Sequence, residues 1–279
     1  MVRVALAFCV LILGVTNCSV RLAAQDFSVY TRVYRAPLPG ATIGETAPET
    51  VSRSVTLFRA GKVYDQVGDE VIIFEPAHNR FVLLNTRRQM AATVHQDELR
   101  QLLKIAREQT ENHVARLREE QTASAAEALQ QVGFTLEPGF DESFDEAARR
   151  LKLTSRYLQY HLTCDQPDSP EIIEAYLRYA DWTAKLNYVL HPHVLFPEIR
   201  LALNASLRRK KLLPLDVELH SEIGTPVHLR AEHKFRWELD SHDRSLINAW
   251  EQLLKAPTVK HVPLQEYRRT LLLSETARR

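Results

Sequence analysis

Apolar residues between Arg53 and His95 fall into three runs, SVTLFRAGKVYDQV, EVIIFEP and RFVLLNTRRQMAATV, separated by turn residues. Ala60-Gly61-Lys62 is placed for a hairpin turn, and Gly68-Asp69-Glu70 supplies a second break. Glu75 to Arg80 makes a longer turn that Pro76 keeps out of any ladder. The spacing predicts a meander of antiparallel strands. Val71-Ile72-Ile73-Phe74 and Phe81-Val82-Leu83-Leu84 show no alternation, the pattern of strands covered on both faces.

Upstream, Phe27 to Arg35 alternates well enough for a first strand, with Val29 and Val33 on one face and Tyr30 and Tyr34 on the other. At Asp97, read as an N-cap, the period changes: Leu99, Leu102, Leu103 and Ala106 recur at helical spacing. That stripe fades after Ile105, so the segment up to Gln131 is expected to be an exposed helix or a protruding arm. Gly133 and Pro138-Gly139 mark a break. Ala147 to Cys164 reads as one strand with a bulge near Tyr157. Ser169-Pro170-Glu171 starts a helix that runs to Leu190, with Ile172, Tyr176, Tyr179, Thr183 and Leu186 on one stripe and Trp182 and Tyr188 beside it. A second helix follows from Glu198 to Lys211.

Val227 to Leu239 is the clearest strand. Val227, Leu229, Ala231, His233, Phe235, Trp237 and Leu239 would face inward, and Leu215 to Ile223 would form the other half of the hairpin. Asp240 caps a last helix, and from Pro257 the tail reads as irregular with an apolar patch at Leu271-Leu272-Leu273. The fold class is therefore α+β: a curved antiparallel sheet, or half-barrel, with helices packed on its concave face. Residues 25–279 form one domain with a helical insert at 170–211.

The first 24 residues change the picture. Arg3 precedes an unbroken apolar run, Val4 to Val15, of signal-peptide length and too short to span a membrane comfortably. Export to the periplasm or cell exterior is expected, with cleavage after Ala24. Val15-Thr16-Asn17 before Cys18 has the outline of a lipoprotein signal, but Asn17 stands where a small residue is wanted, so anchoring through Cys18 is the weaker reading. Loss of Cys9 and Cys18 leaves Cys164 alone and no internal disulfide, which favours a bacterial envelope. Removing Arg3 and Arg21 takes Lys plus Arg from 36 to 34, against 35 Asp plus Glu. That balance argues against a general nucleic-acid binder.

TLFRAGKVYDQV with EVIIFEPAHNRFVLLN, a helix across the meander and a late long hairpin together resemble the periplasmic lipoprotein-carrier and receptor superfamily (LolA/LolB-like). ADWTAKLN and RLALNASL are similar to segments of secreted proteins of planctomycete-type bacteria. The carrier resemblance implies an unclosed barrel that holds acyl chains. On that basis the cavity would be lined by Ile72, Phe74, Phe81 and Leu83 from the meander, Tyr176, Tyr179 and Trp182 from the helix, and His233, Phe235 and Trp237 from the long strand. The expected function is non-catalytic binding of an apolar or lipid-like ligand or of a lipoprotein acyl group. If the helices fill the sheet instead, the protein is a closed scaffold docking an envelope partner through the helix at 98–131.

No catalytic, cofactor or metal motif stands out. His191-Pro192-His193 lacks a carboxylate at helical spacing, and no HExxH occurs. His161 and Cys164 would point to opposite faces of a strand. Glu70 and Glu75 border turns and read as solvated. Arg208-Arg209-Lys210-Lys211 sits at a helix C-terminus, where it offsets the macrodipole and offers a contact for an anionic membrane surface.

Overall fold

The structure, a computed structural model, describes residues 26–36, 49–120, 122–191 and 194–276. The expected leader and His193 lie outside them.

The meander forms as its turn residues dictate. β2 (Thr50–Arg59) and β3 (Lys62–Val67) are joined by Ala60 and Gly61, both with positive φ, the type I′ geometry that matches strand twist. Gly68, also at positive φ, opens the turn into β4 (Glu70–Glu75). A short 3₁₀ turn at Pro76–His78, closed by Asn79 in the left-handed region, leads to β5 (Arg80–Asn85), and β6 (Met90–His95) follows. A second meander consists of β7 (Asp141–Asp145), β8 (Arg150–Thr154), β9 (Leu158–Asp165), β10 (Leu213–Ser221) and β11 (Val227–Arg236). β1 (Phe27–Arg35) lies between the two, paired antiparallel to β2 on one edge and to β11 on the other. β12 (Lys260–His261) adds a short parallel pair to β6. The result is one open twelve-stranded sheet in the order β12-β6-β5-β4-β3-β2-β1-β11-β10-β9-β8-β7.

α1 (Gln96–Glu119), α2 (Ala123–Leu136), α3 (Pro170–Leu190), α4 (Pro197–Lys210) and α6 (Leu264–Thr276) all contribute side chains to the larger core on the concave face. α5 (Ser241–Lys255) additionally covers the opposite face of the first meander, where Ile247 and Trp250 meet Leu57, Tyr64, Val71, Ile73 and Leu84. These two covers explain the strands without alternation: Ile73 and Leu84 face α5, whereas Phe74 and Phe81 face α3. Over the second meander the outer face is polar, with Arg230 held on Asp216 at 2.5 Å. α5 is fastened by a capping box between Asp240 and Asp243, and Tyr30 donates to Asp243 at 2.6 Å across the chain.

Several sequence expectations need correction. Residues 147–164 form a hairpin, β8 and β9, in place of one bulged strand: Ser155 supplies the turn by accepting from the Leu158 amide. The 98–131 segment is two helices, because the chain leaves helical geometry after Glu119 and restarts at a Thr122 N-cap. Its N-cap position is His95, with no side-chain cap bond, so Asp97 falls in the first turn, and Gly133 lies inside α2. The segment also folds back, with Arg107 of α1 reaching Glu137 and Glu198 at 3.4 Å each. The tail is α6, whose Leu264, Tyr267 and Leu271 recur at helical spacing. The long strand stops at Arg236: Leu239 crosses to the α5 core, and Val227 is left 38% exposed. No helix of the described residues is long and apolar enough to cross a membrane.

Phe81 is fully buried and stacks on Phe74 with ring centres 4.8 Å apart. Phe81→Ala is expected to cost about 3–5 kcal/mol of unfolding free energy. Val227→Ala should cost less than about 1 kcal/mol. Urea titration of the two variants checks the contrast.

Candidate functional site

Strand register sorts the concave face of the first meander into rows. The outermost row is dry: Phe27, Phe58, Val63, Phe74, Phe81 and Val94 lie side by side. The next row reads Val29, Thr56, Asp65, Ile72, Leu83 and Ala92, so two polar residues enter an apolar line. The third row, at the Gly68 end, brings Val67, Glu70, Asn85 and Met90 together. α3 crosses these rows. Tyr179 packs edge-on against Phe58 of the dry row and donates its hydroxyl to Asp65 at 2.8 Å.

Beyond Tyr179 the sheet, the C-terminal part of α3 and α6 diverge and leave a cavity of about 700 Å³. Its apolar wall is Val67, Ile72, Leu83, Leu190 and Leu271. The polar lining comes from Asp65, Asp69, Glu70, Asn85, Thr183, Asn187 and Tyr267, with Arg87, Arg88 and His191 completing it. Cavities of this size, mostly apolar with a few placed polar groups, hold a drug-sized molecule or a single long chain.

Asp65 and Glu70 in the wall are held by neutral donors. Asp65 accepts from Thr56 at 2.9 Å and from Tyr179, and burial pushes its carboxyl above the usual range despite those two bonds. Glu70 accepts from the Asn85 amide and the Tyr267 hydroxyl. Burial beside that carboxylate in turn raises Tyr267 far above an ordinary phenol. Asn85 also takes the Arg88 backbone amide at 2.7 Å, which ties the β5–β6 turn to the site, and Arg88 reaches the Thr270 carbonyl of α6 at 3.4 Å.

Of the ten residues read from sequence as cavity lining, Ile72 and Leu83 line this one, and Tyr179 lies immediately behind it. Phe74 and Phe81 belong to the dry row. Tyr176 packs on Phe235 at 5.5 Å, Phe235 on Trp237 at 5.6 Å, and Trp182 sits under Arg100 and Lys185. His233 Nδ1 is 2.9 Å from the Thr31 hydroxyl, and burial pulls its pKa down to about 4, so the ring is neutral near pH 7. Asp65, Asn85 and Tyr267 are absent from that reading, and Glu70, expected to be a solvated turn residue, instead accepts two hydrogen bonds in the cavity wall. Asp65 shares the parity of Val63 and Val67 in KVYDQV, a sign of a carboxylate facing inward, and the 264, 267, 271 spacing marked α6.

Other sequence candidates resolve into structural roles. Glu75 is buried rather than solvated: burial alone would raise its pKa, but Lys62 at 2.8 Å and Arg80 at 2.6 Å hold it below the carboxylate norm. Arg208 pairs with Glu174 and Asp181, while Arg209 and Lys210 pair with Glu142. His161 and Cys164 do occupy opposite faces, and burial pushes the Cys164 thiol up to about 12. Among the described residues no group of three or more His, Cys, Asp or Glu is arranged to hold a metal.

Asp65 gives a signed pH effect. Its folded pKa is above the unfolded value of 3.8, so the folded state holds the proton longer and stability falls as pH rises from 3.8 through the folded pKa. Asp65→Asn in ligand-free protein is expected to be more stable than wild type at pH 7, with the gap closing towards pH 4. Thermal melts across that range check it, and parallel pH profiles would be the contrary result. The chain matches no protein-family model, and no curated protein is detectably similar to it.

Proposed function

We propose that the protein is an exported, non-catalytic envelope protein that holds one apolar or lipid-like molecule, or the acyl group of a lipoprotein, in the cavity between the first meander, α3 and α6. The observation that carries this reading is the cavity of about 700 Å³ with Ile72, Leu83, Leu190 and Leu271 on one side and hydrogen-bonding groups on the other. Such a lining suits a chain that ends in a polar head. The apolar run from Val4 to Val15 supports export. The open sheet crossed by helices supports the likeness to lipoprotein carriers, whose ligand is an acyl chain. A second reading, a scaffold that docks an envelope protein through α1, is favoured by Ile105, which is 40% exposed on that helix.

Native mass spectrometry of protein purified gently from its own envelope is expected to show a lipid-sized addition. Ile72→Trp, which fills the cavity, should remove the addition while leaving a cooperative melt. A bare wild-type mass, together with no saturable uptake of an uncharged solvatochromic dye, would sink the reading. A partner lost on Ile105→Asp but retained in Ile72→Trp would favour the scaffold.

A further inference from the structure

We propose that the ligand carries a cationic nitrogen, an ammonium or similar group, seated between Asp65 and Glu70; this rests on the binding function proposed above. Asp65 on β3 and Glu70 on β4 face the same side of the sheet. Asp65 is opposite Ile72, two residues from Glu70, a diagonal that sets the two side chains about 7 Å apart at their Cβ atoms. Both line the one cavity. Both have their protein partners accounted for, and every partner is neutral: two hydroxyls on Asp65, an amide and a phenol on Glu70. Among the described residues neither carboxylate has a Lys, Arg or His within ion-pair distance.

Elsewhere carboxylates are held in two ways: the wholly buried Asp243 takes only neutral donors, the Tyr30 hydroxyl and the Asp240 amide at the first turn of α5, whereas others meet cations. Glu75 is matched by Lys62 and Arg80, and Glu142 by Arg209 and Lys210. Withdrawing an anion from water without a counter-charge is unfavourable, and proteins ordinarily pair it. Here two such groups instead converge on a cavity that has room for the missing cation. The arginines of the lining do not supply it. Arg88 is drawn to the α6 backbone at Thr270, and Arg87 stands on the same β5–β6 turn without a carboxylate partner among the described residues. His191 and Asp69 complete the polar lining, from the end of α3 and the Gly68 turn. The cavity thus offers two carboxyl groups beside an apolar wall, which fits an amphiphile whose nitrogen is charged and whose tail follows Ile72, Leu83 and Leu190.

Binding of dodecylamine, dodecanol and dodecanoate at pH 7, each below its micelle concentration, tests this by calorimetry on the full-length mature protein. The amine is expected to bind about tenfold or more tighter than the alcohol, the scale of a hydrogen bond to a charged group. Asp65→Asn and Glu70→Gln should each lower the ratio of amine to alcohol affinity. Equal binding of amine and alcohol overturns the inference and leaves the binding function standing. Tightest binding of the carboxylate overturns it in favour of Arg87 and Arg88 as the head-group site. Binding of none of the three overturns the inference and the binding function alike. The wild-type ranking decides even if a variant fails to fold.

Discussion

β1 is hydrogen-bonded along both edges, with Val29 opposite Thr56 of β2 on one side and Phe235 of β11 on the other. Each backbone group in a buried strand needs a partner, and here the partners come from segments about 180 residues apart. That pairing fuses two local meanders into one sheet. Side chains reinforce the seam: Tyr34 donates to Glu232 at 2.5 Å, Thr31 meets His233, and Tyr30 anchors the first turn of α5. Without β1 in the middle, neither the shared concave core nor the α5 cover would have its support.

The two halves of the sheet then diverge in what they bury. The first meander is sandwiched, with α5 on one side and α3 and α6 on the other, so the middles of β4 and β5 are apolar on both faces. The second is covered on one face only, and its outer face carries charge ladders such as Arg230 with Asp216 and Glu232. The candidate site belongs to the sandwiched half. It arises where α3 and α6 spread apart over the third row of the sheet, and where Thr56 and Asp65 interrupt an apolar line. A carboxylate at that position is costly to the core, and the neutral donors Thr56 and Tyr179 offset only part of the cost, as its raised pKa records.

Charge elsewhere is used for fastening. The basic run at the end of α4 complements the helix dipole, and three of its four members also reach carboxylates: Arg208 those of α3, Arg209 and Lys210 the Glu142 side chain of edge strand β7. Ser206 donates to the same glutamate. Edge strands need cover, and this cluster clamps β7 to a helix. Three members of the run are thereby engaged within the protein, while Arg209 also stays exposed.

Local chemistry determined much of this. Turn residues and apolar runs defined β2 to β6, Ser169-Pro170 defined the start of α3, Asp240 defined the cap of α5, and strands apolar on both faces required two covers. These follow from interactions within a few residues, or from burial that leaves its mark on every position of a strand. Tertiary structure alone decided that β1 joins both meanders, that α5 takes the opposite face, and that the tail folds as α6 against Glu70. The site itself was decided at that level too: of the ten lining residues expected, Ile72 and Leu83 reach the cavity, because the aromatic residues that look suited to an apolar ligand are also the ones that pack best on one another. A cavity forms where packing elements part, and that separation depends on register and helix placement summed over the whole sheet, which no single stretch of the chain encodes.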